Sequence, residues 1–422
     1  MTFNRSISTL IYNMENKNKF ADSLKSVLKG NTMIFILVGV MLLFEILIRS
    51  FGHGSLFAPA NITNIIRQNA YVAILATGML LCILTGGNID LSVGSVVALV
   101  GALAGVFIVN LGMPVWLAIC LCLLIGTLIG AFHGFFIAYI HIPPFITTLA
   151  GMLLWRGVAT IVLDGKPIAP FPQKYLRLFE SFIPSAKADP EEVFVFGELV
   201  DKNTLITTMI IALVCVLAFV AMEIISRQKK IKNNYTVSSK SSFITKLVVL
   251  SVVIIIMGQF LARDRGLPVV LILLGVIVAA YSYFTQNTVP GRYLYAIGGN
   301  AKAAKLSGVN TDNVMFFAYT NMGFIAAVAA LVTVARLNSA QPTAGQNYEM
   351  DAIASCFIGG ASAYGGTGTV SGAVVGAIFM GVLNNGMSIL GVDMNWQRAV
   401  KGMVLLAAVI FDVVSKRKKT SK

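Results

Sequence analysis

Long uninterrupted apolar stretches, separated by short polar islands, set the pattern of this chain. A bilayer core of about 30 Å takes roughly 20 mostly apolar residues in helical form. Ten stretches read as such helices: 31–49, 70–86, 91–110, 114–140, 145–163, 205–225, 245–262, 267–285, 315–335 and 396–414. A further apolar region, 352–390, is so rich in glycine that it reads either as two crossings or as a segment that dips in and returns. The expected fold is all-α, a polytopic transmembrane helical bundle of about ten spans plus this re-entrant or two-crossing region. Residues 1–30 form an N-terminal segment, 31–414 the membrane domain and 415–422 a basic tail.

The polar island at 291–310 is the most informative. Asn300 can cap a helix by accepting a backbone N–H, and Gly308 can end it in a left-handed conformation. The two turns between them, Ala301 to Ser307, are too short to be stable alone. A two-turn helix between spanning segments needs something to press against.

Composition agrees with a membrane protein: 57% of residues are hydrophobic and 12% charged, with a mean hydropathy of +0.81. An ordinary soluble domain carries about 25% charged residues. The net charge of +14 is concentrated in four stretches. Residues 1–30, 226–246, 287–314 and the tail hold 19 of the 32 Lys and Arg residues, leaving the rest of the chain at −2. This is the positive-inside pattern rather than a nucleic-acid footprint, and it puts all four stretches and both termini in the cytoplasm. With that orientation 164–203 lies outside, as does 336–351. The loop 164–203 has seven acidic residues against five basic ones and five prolines, and reads as a solvated loop rather than a cap. The Ser-rich basic segment 226–246 reads as a flexible linker.

Five cysteines (Cys82, Cys120, Cys122, Cys215, Cys356) sit in apolar runs without metal or redox spacing and read as small buried hydrophobes. No cleavable signal peptide is apparent. Met14, followed by Glu-Asn-Lys-Asn-Lys, resembles a start of its own, so residues 1–13 are expected to be dispensable or to precede the true start. Small residues recur at four-residue spacing: Gly126, Gly130 and Gly134; Gly101 and Gly105; Gly372 and Gly376; Ala373, Ala377 and Gly381. Such steps let helix backbones approach closely in lipid.

Three constellations are candidates for function. In Thr85–Ser95, Gly86 and Gly87 break a helix, and Asn88, Asp90, Ser92 and Gly94 follow. Asp90 reads first as a cap for the next helix and second as a pathway or gating group. The run 359–372 repeats the theme of paired glycines and short polar residues; two such interruptions mark the binding region in many transporters. An amide and hydroxyl set, Asn338, Gln341, Thr343 and Gln346 with Asn384 and Asn385, could hold an uncharged sugar or serve as interhelical glue. His133 reads as a satisfied packing residue. There is no P-loop, no nucleophile–base pair and no metal-spaced cluster, so no cofactor or metal is expected on this chain and an enzyme reading has no residues to stand on.

Six strings carry a resemblance: TGGNIDLSVGS (85–95), IPPFITTLAGMLLWRGVA (142–159), GRYLYAIGGN (291–300), AAKLSGV (303–309), ARLNSAQPTAGQNYEMDAIASCFIGGAS (335–362) and GTVSGAVVGAIFMGVLNNGM (368–387). Together they resemble the permease subunit of bacterial monosaccharide ABC importers, from about Asn61 to Asp412, and the chain length resembles the xylose and multiple-monosaccharide branch. The resemblance implies a partner ATPase subunit that uses ATP and Mg, an external sugar-binding protein and a permease homodimer. It also implies that the cytoplasmic loop docks on the ATPase. Lys302, Ala303, Ala304, Lys305, Leu306, Ser307 and Gly308 fit the family's E-A-A-x-x-x-G pattern, with Lys302 where Glu is common. The alternative is an ion-gradient-driven transporter of a small polar solute, which requires ionisable residues near the midplane; Asp90 and Glu45 are the candidates.

Overall fold

The computed structural model describes residues 32–185, 192–195, 198–235, 237 and 240–420. The expected N-terminal segment 1–30, the choice between Met1 and Met14, and the last two residues of the tail lie outside them.

All ten predicted stretches are helical. They correspond to α1 (Thr32–Ser50), α2 (Pro59–Leu84), α3 (Val93–Gly105, continued by a wider turn over Val106–Asn110), α4 (Val115–Ala138) and α5 (Pro144–Val162). After a short α6 (Gln173–Phe179) come α7 (Lys202–Lys232), α8 (Lys240–Ala262), α9 (Val269–Asn287), α10 (Val289–Leu306), α11 (Thr311–Leu337), α12 (Tyr348–Ile358), α13 (Val370–Ile389) and α14 (Met394–Thr420). Nine helices among the described residues are long and apolar enough to cross a membrane: α2, α3 with its continuation, α4, α5, α7, α8, α9, α11 and α13. The chain is a multi-pass membrane protein with a helical bundle.

Helix α2 starts eleven residues before the predicted stretch, at Pro59. Proline suits the first turn, where its missing N–H has no partner to lose. The polar first half of α2 is hidden from a hydropathy reading, yet Thr63 and Asn69 are buried. From Val72 to Leu84 every residue of α2 is buried. A helix apolar on all sides belongs in a core, and α2 is the axis of this bundle, with α11 and α13 packed on it.

The predicted small-residue steps are where backbones meet. A methyl on Gly130 of α4 would lie 2.5 Å from the Tyr319 carbonyl oxygen of α11, and one on Gly323 would lie 2.2 Å from that of Gly126. Gly130→Leu should therefore force the two helices apart and cost about 1–3 kcal/mol or more. The check is thermal denaturation in detergent; Gly157→Ala, where nothing lies within 4 Å, should leave the midpoint unchanged.

Two expectations are corrected. The loop 164–203 is not a loose solvated loop. Phe182–Ile183 (β1) pairs antiparallel with Leu267–Pro268 (β4), and Glu192–Val195 (β2) pairs with Glu198–Asp201 (β3). Buried Tyr175 donates to the Leu331 carbonyl at 2.7 Å, Phe171 N–H donates to Asn338 Oδ1 at 2.9 Å, and Arg67 pairs with Glu180. Two of these contacts come from aromatic and amide groups, which a charge count does not register, and the third from an acid whose partner lies on a distant helix. The basic segment 226–246 is mostly helix, because α7 runs to Lys232 and α8 starts at Lys240. Lys, Arg and Gln are good helix formers, and Lys229, Lys230 and Lys232 suit a helix C-terminus.

Residues 336–351, expected only to lie outside, are packed against the bundle. After α11 the chain folds back along α3, placing Gly345 against Gly94 and burying Ala340 and Ala344. It continues as α12, whose 11 residues span about 16 Å at 1.5 Å per residue, half a bilayer core. After the turn at 359–369, α13 makes a full-length return. Region 352–390 thus holds one short helix and one helix long and apolar enough to cross.

Candidate functional site

The island that opens at Gly291 forms α10, which breaks at Asn300 (φ −161°, ψ 100°). Asn300 Oδ1 accepts Ala303 N–H at 3.0 Å and caps the second arm. Gly308 N–H donates to Lys305 O and Val309 N–H to Ala304 O, both at 3.0 Å, with Gly308 at φ +87°. That pair of bonds is a Schellman end. On this two-turn arm Ala304 is the one buried residue, and Lys302, Ala303, Lys305, Ser307 and Gly308 are exposed. Leu306 is 90% exposed. Among the described residues no ion pair holds Lys302.

The first arm of α10 is anchored, and its anchor joins the three glycine islands that the sequence shows separately. A methyl on Gly298 would sit 1.9 Å from Leu84 O and 2.2 Å from Gly366 N; one on Gly87 would sit 2.0 Å from Ala363 O. Gly366 N–H donates to Leu84 O at 3.0 Å, and Tyr295 Oη donates to Gly368 O at 3.0 Å. Burial raises the Tyr295 phenol above its ordinary pKa, which keeps it a neutral donor. Only glycine lets these backbones touch, so the three islands share one knot at the end of α2.

Beyond Gly86 and Gly87 the chain turns through Asp90 into α3. Asp90, 2% exposed, accepts Ser92 N–H at 2.8 Å and Ser92 Oγ–H at 2.6 Å. It holds Ser92, the residue that opens α3, in a turn ahead of the helix and accepts no amide from within the helix itself. Ser92 Oγ lies 3.3 Å from His133 Nδ1, and Trp155 Nε1–H donates to His133 Nε2 at 2.9 Å. With Nε2 accepting, the imidazole proton sits on Nδ1 and points at Ser92. His133 is thus a buried, satisfied residue joining α3, α4 and α5. Asn88 Nδ2 reaches Thr85 Oγ1 at 3.2 Å, within the same turn.

Gln341 and Thr343 line a cavity of about 460 Å³, within the roughly 300–1,000 Å³ of small-molecule sites. Its walls include Tyr71, Tyr348, Asp351 and Lys401. The rings of Tyr71 and Tyr348 stack at 3.7 Å and 17°. Tyr71 Oη donates to Asp351 Oδ2 at 3.0 Å, and Lys401 Nζ lies 3.0 Å from Asp351 Oδ1. Arg156 of α5 donates to Ala344 O at 2.5 Å, pinning the segment that carries Gln341 and Thr343. The arrangement offers amide and hydroxyl groups beside an aromatic face and one buried ion pair, suited to a small polar solute.

Asn384 and Asn385 are not brought to this cavity; they sit on α13, Asn385 buried and Asn384 half-buried. The residues that sequence reasoning missed are Tyr71, Tyr348, Asp351, Arg156 and Lys401. A lone lysine in the apolar run 396–414, and two acids just before a glycine-rich stretch, were the available signals.

The family model described as branched-chain amino acid transport system / permease component matches residues 61–190 and 197–409. The xylose transport system permease protein XylH of Escherichia coli is 34% identical over 92% of this chain and 93% of its own. That of Haemophilus influenzae is 34% identical over 94% and 99%. The ribose import permease protein RbsC of Haemophilus influenzae is 33% identical over 88% and 91%. No solved structure matches the chain. With the motifs at 85–95, 291–309 and 335–387 and this coverage, the chain belongs to the branched-chain amino acid transport system / permease component family, among the permease subunits of bacterial monosaccharide ABC importers.

Proposed function

We propose that this chain is the membrane-spanning subunit of an ATP-driven importer, and that it moves a monosaccharide such as xylose, ribose, galactose or arabinose. Its partners are an external sugar-binding protein, a second permease copy and an ATPase subunit that binds ATP and Mg and performs the hydrolysis. It resides in the cytoplasmic membrane with both termini inside. The observation that carries this reading is the two-turn helix at 301–306, which presents Leu306 to solvent and is anchored through Gly298 and Gly366 to the end of α2. A packed, capped helix with an exposed apolar tip is suited to transmit a push from a partner. That push would reach the broken helix at Gly86–Gly87 and reclose the bundle around the sugar path, to which Gln341 and Thr343 contribute.

The ion-gradient alternative gains one point from the structure, since Glu349 and Asp351 are buried beside the cavity in addition to Asp90. Asp351, however, is paired with Lys401, and Asp90 is held by Ser92. Uptake of radiolabelled monosaccharide into proteoliposomes holding the permease, ATPase and binding protein separates the two. We expect uptake to require lumenal ATP and to survive dissipation of proton and sodium gradients. Uptake that persists without ATP and collapses with the gradient overturns the reading.

A further inference from the structure

Helices α7 and α9 end together at the basic face of the bundle, and a cavity of about 650 Å³ opens between their ends. Its walls are Ser226, Lys229 and Lys230 of α7, and Tyr283 and Asn287 of α9. Among the described residues no acidic side chain lines it. The carboxylate nearest along the chain, Glu223, faces the other way and pairs with Lys246 of α8 at 2.6 Å. Arg227 likewise turns to α8, its guanidinium 4.4 Å from the centre of the Phe243 ring. One face of α7 is therefore engaged with α8, while the other holds two exposed lysines for which no ion pair is formed among the described residues. Toward the middle of the bundle the same cleft is edged by Met222, 63% exposed, and Ile225, 51% exposed.

A basic, hydroxyl-bearing pocket that grades into an apolar rail has the polarity of a phospholipid. Lysines hold the head-group phosphate, Tyr and Asn donate to its esters, and the apolar edge guides an acyl chain. We propose that this cavity binds an anionic phospholipid from the leaflet at the basic end, with Lys229 and Lys230 as the phosphate ligands. The proposal rests on reading the bundle as a membrane permease with its basic end at the bilayer surface. It would tie α7 to α9 by lipid where the two helices leave a gap.

The test uses the full chain, purified and delipidated in neutral detergent, and titrated with phosphatidylglycerol or phosphatidylcholine while bound lipid is counted by native mass spectrometry. We expect phosphatidylglycerol to bind in preference to phosphatidylcholine. The double variant Lys229→Gln/Lys230→Gln should weaken phosphatidylglycerol binding about tenfold or more, whereas Lys246→Gln on the α8 side should leave it unchanged. Equal binding of the two lipids, or an unaffected double variant, overturns the proposal. Competition by millimolar inorganic phosphate alone overturns it in favour of a soluble anion. Because the assay needs neither sugar nor ATPase, failure of the transport reading appears only in the uptake assay and lipid binding would stand.

Discussion

Gly308→Pro abolishes ATP-driven uptake and co-purification with the ATPase while the protein still inserts and folds: this is the largest effect expected on the proposed coupling element. Gly308 sits at φ +87° with no atom within 4 Å of where a Cβ would be. The substitution therefore acts through the backbone alone. Proline is locked near −65° and has no N–H, so the bond to Lys305 O is lost and the two-turn helix cannot end as it does. Loss of even 1.4 kcal/mol of docking is a tenfold effect, so uptake should fall to about a tenth or less. Gly308→Asn is the sharp control. Asparagine tolerates the left-handed region, so this variant should keep most of its uptake and its ATPase. If the proline variant co-purifies with the ATPase normally, the coupling role is wrong.

Lys401→Met should be the most damaging change at the cavity. Asp351 is 2% exposed, and Lys401 is the cation that faces it, with Tyr71 as its other partner. Removing one member of a buried pair leaves an uncompensated charge and costs about 3–5 kcal/mol, whereas replacing both members is often neutral. The single variant should lower the thermal midpoint in detergent, and Lys401→Met/Asp351→Asn should restore most of it. Uptake by the double variant then separates structure from transport. A stable but inactive double variant assigns the pair to the sugar path, while a stable and active one makes it a strut between α12 and α14. If the single variant is as stable as the parent, the pair does not hold α14.

Much of this was legible in the sequence. Each of the ten apolar stretches is a helix, and among the described residues eight of them are long and apolar enough to cross, because spanning segments bury their backbone polar groups internally and show it in unbroken hydropathy. Gly126 and Gly130, which approach α11, were visible as spacing. So was the cap at Asn300 and the end at Gly308, because capping chemistry is local. What was not legible is whatever depends on which distant segments meet. Gly87, Gly298 and Gly366 are hundreds of residues apart in part, and nothing local says that they share a knot. The first half of α2 was left out of the predicted span, and the packing of residues 336–351 went unread, because hydropathy cannot tell a polar residue facing water from one facing a buried partner. Lys401, inside an apolar run, drew no reading from the sequence; its meaning came only with Asp351. The outer segment 164–203 misled for the same reason, since Tyr175 and Asn338 hold it down through single hydrogen bonds.

Helix α2 joins the two places where these predictions act. Its Leu84 carbonyl receives the amide of Gly366 at the knot, and its Tyr71 ring forms a wall of the cavity. Between them lie twelve residues of continuous helix, a separation of about 20 Å at 1.5 Å per residue, with no proline, with Gly78 packed against Met322 and Ile325, and with close neighbours on every side. Such a segment behaves as a pushrod. On the proposed coupling reading, a displacement received at one tip is passed to the other, and the stacked tyrosine moves with the backbone that carries it. Transmission of this kind needs no loosening anywhere along the route; the play in the mechanism is confined to the two ends.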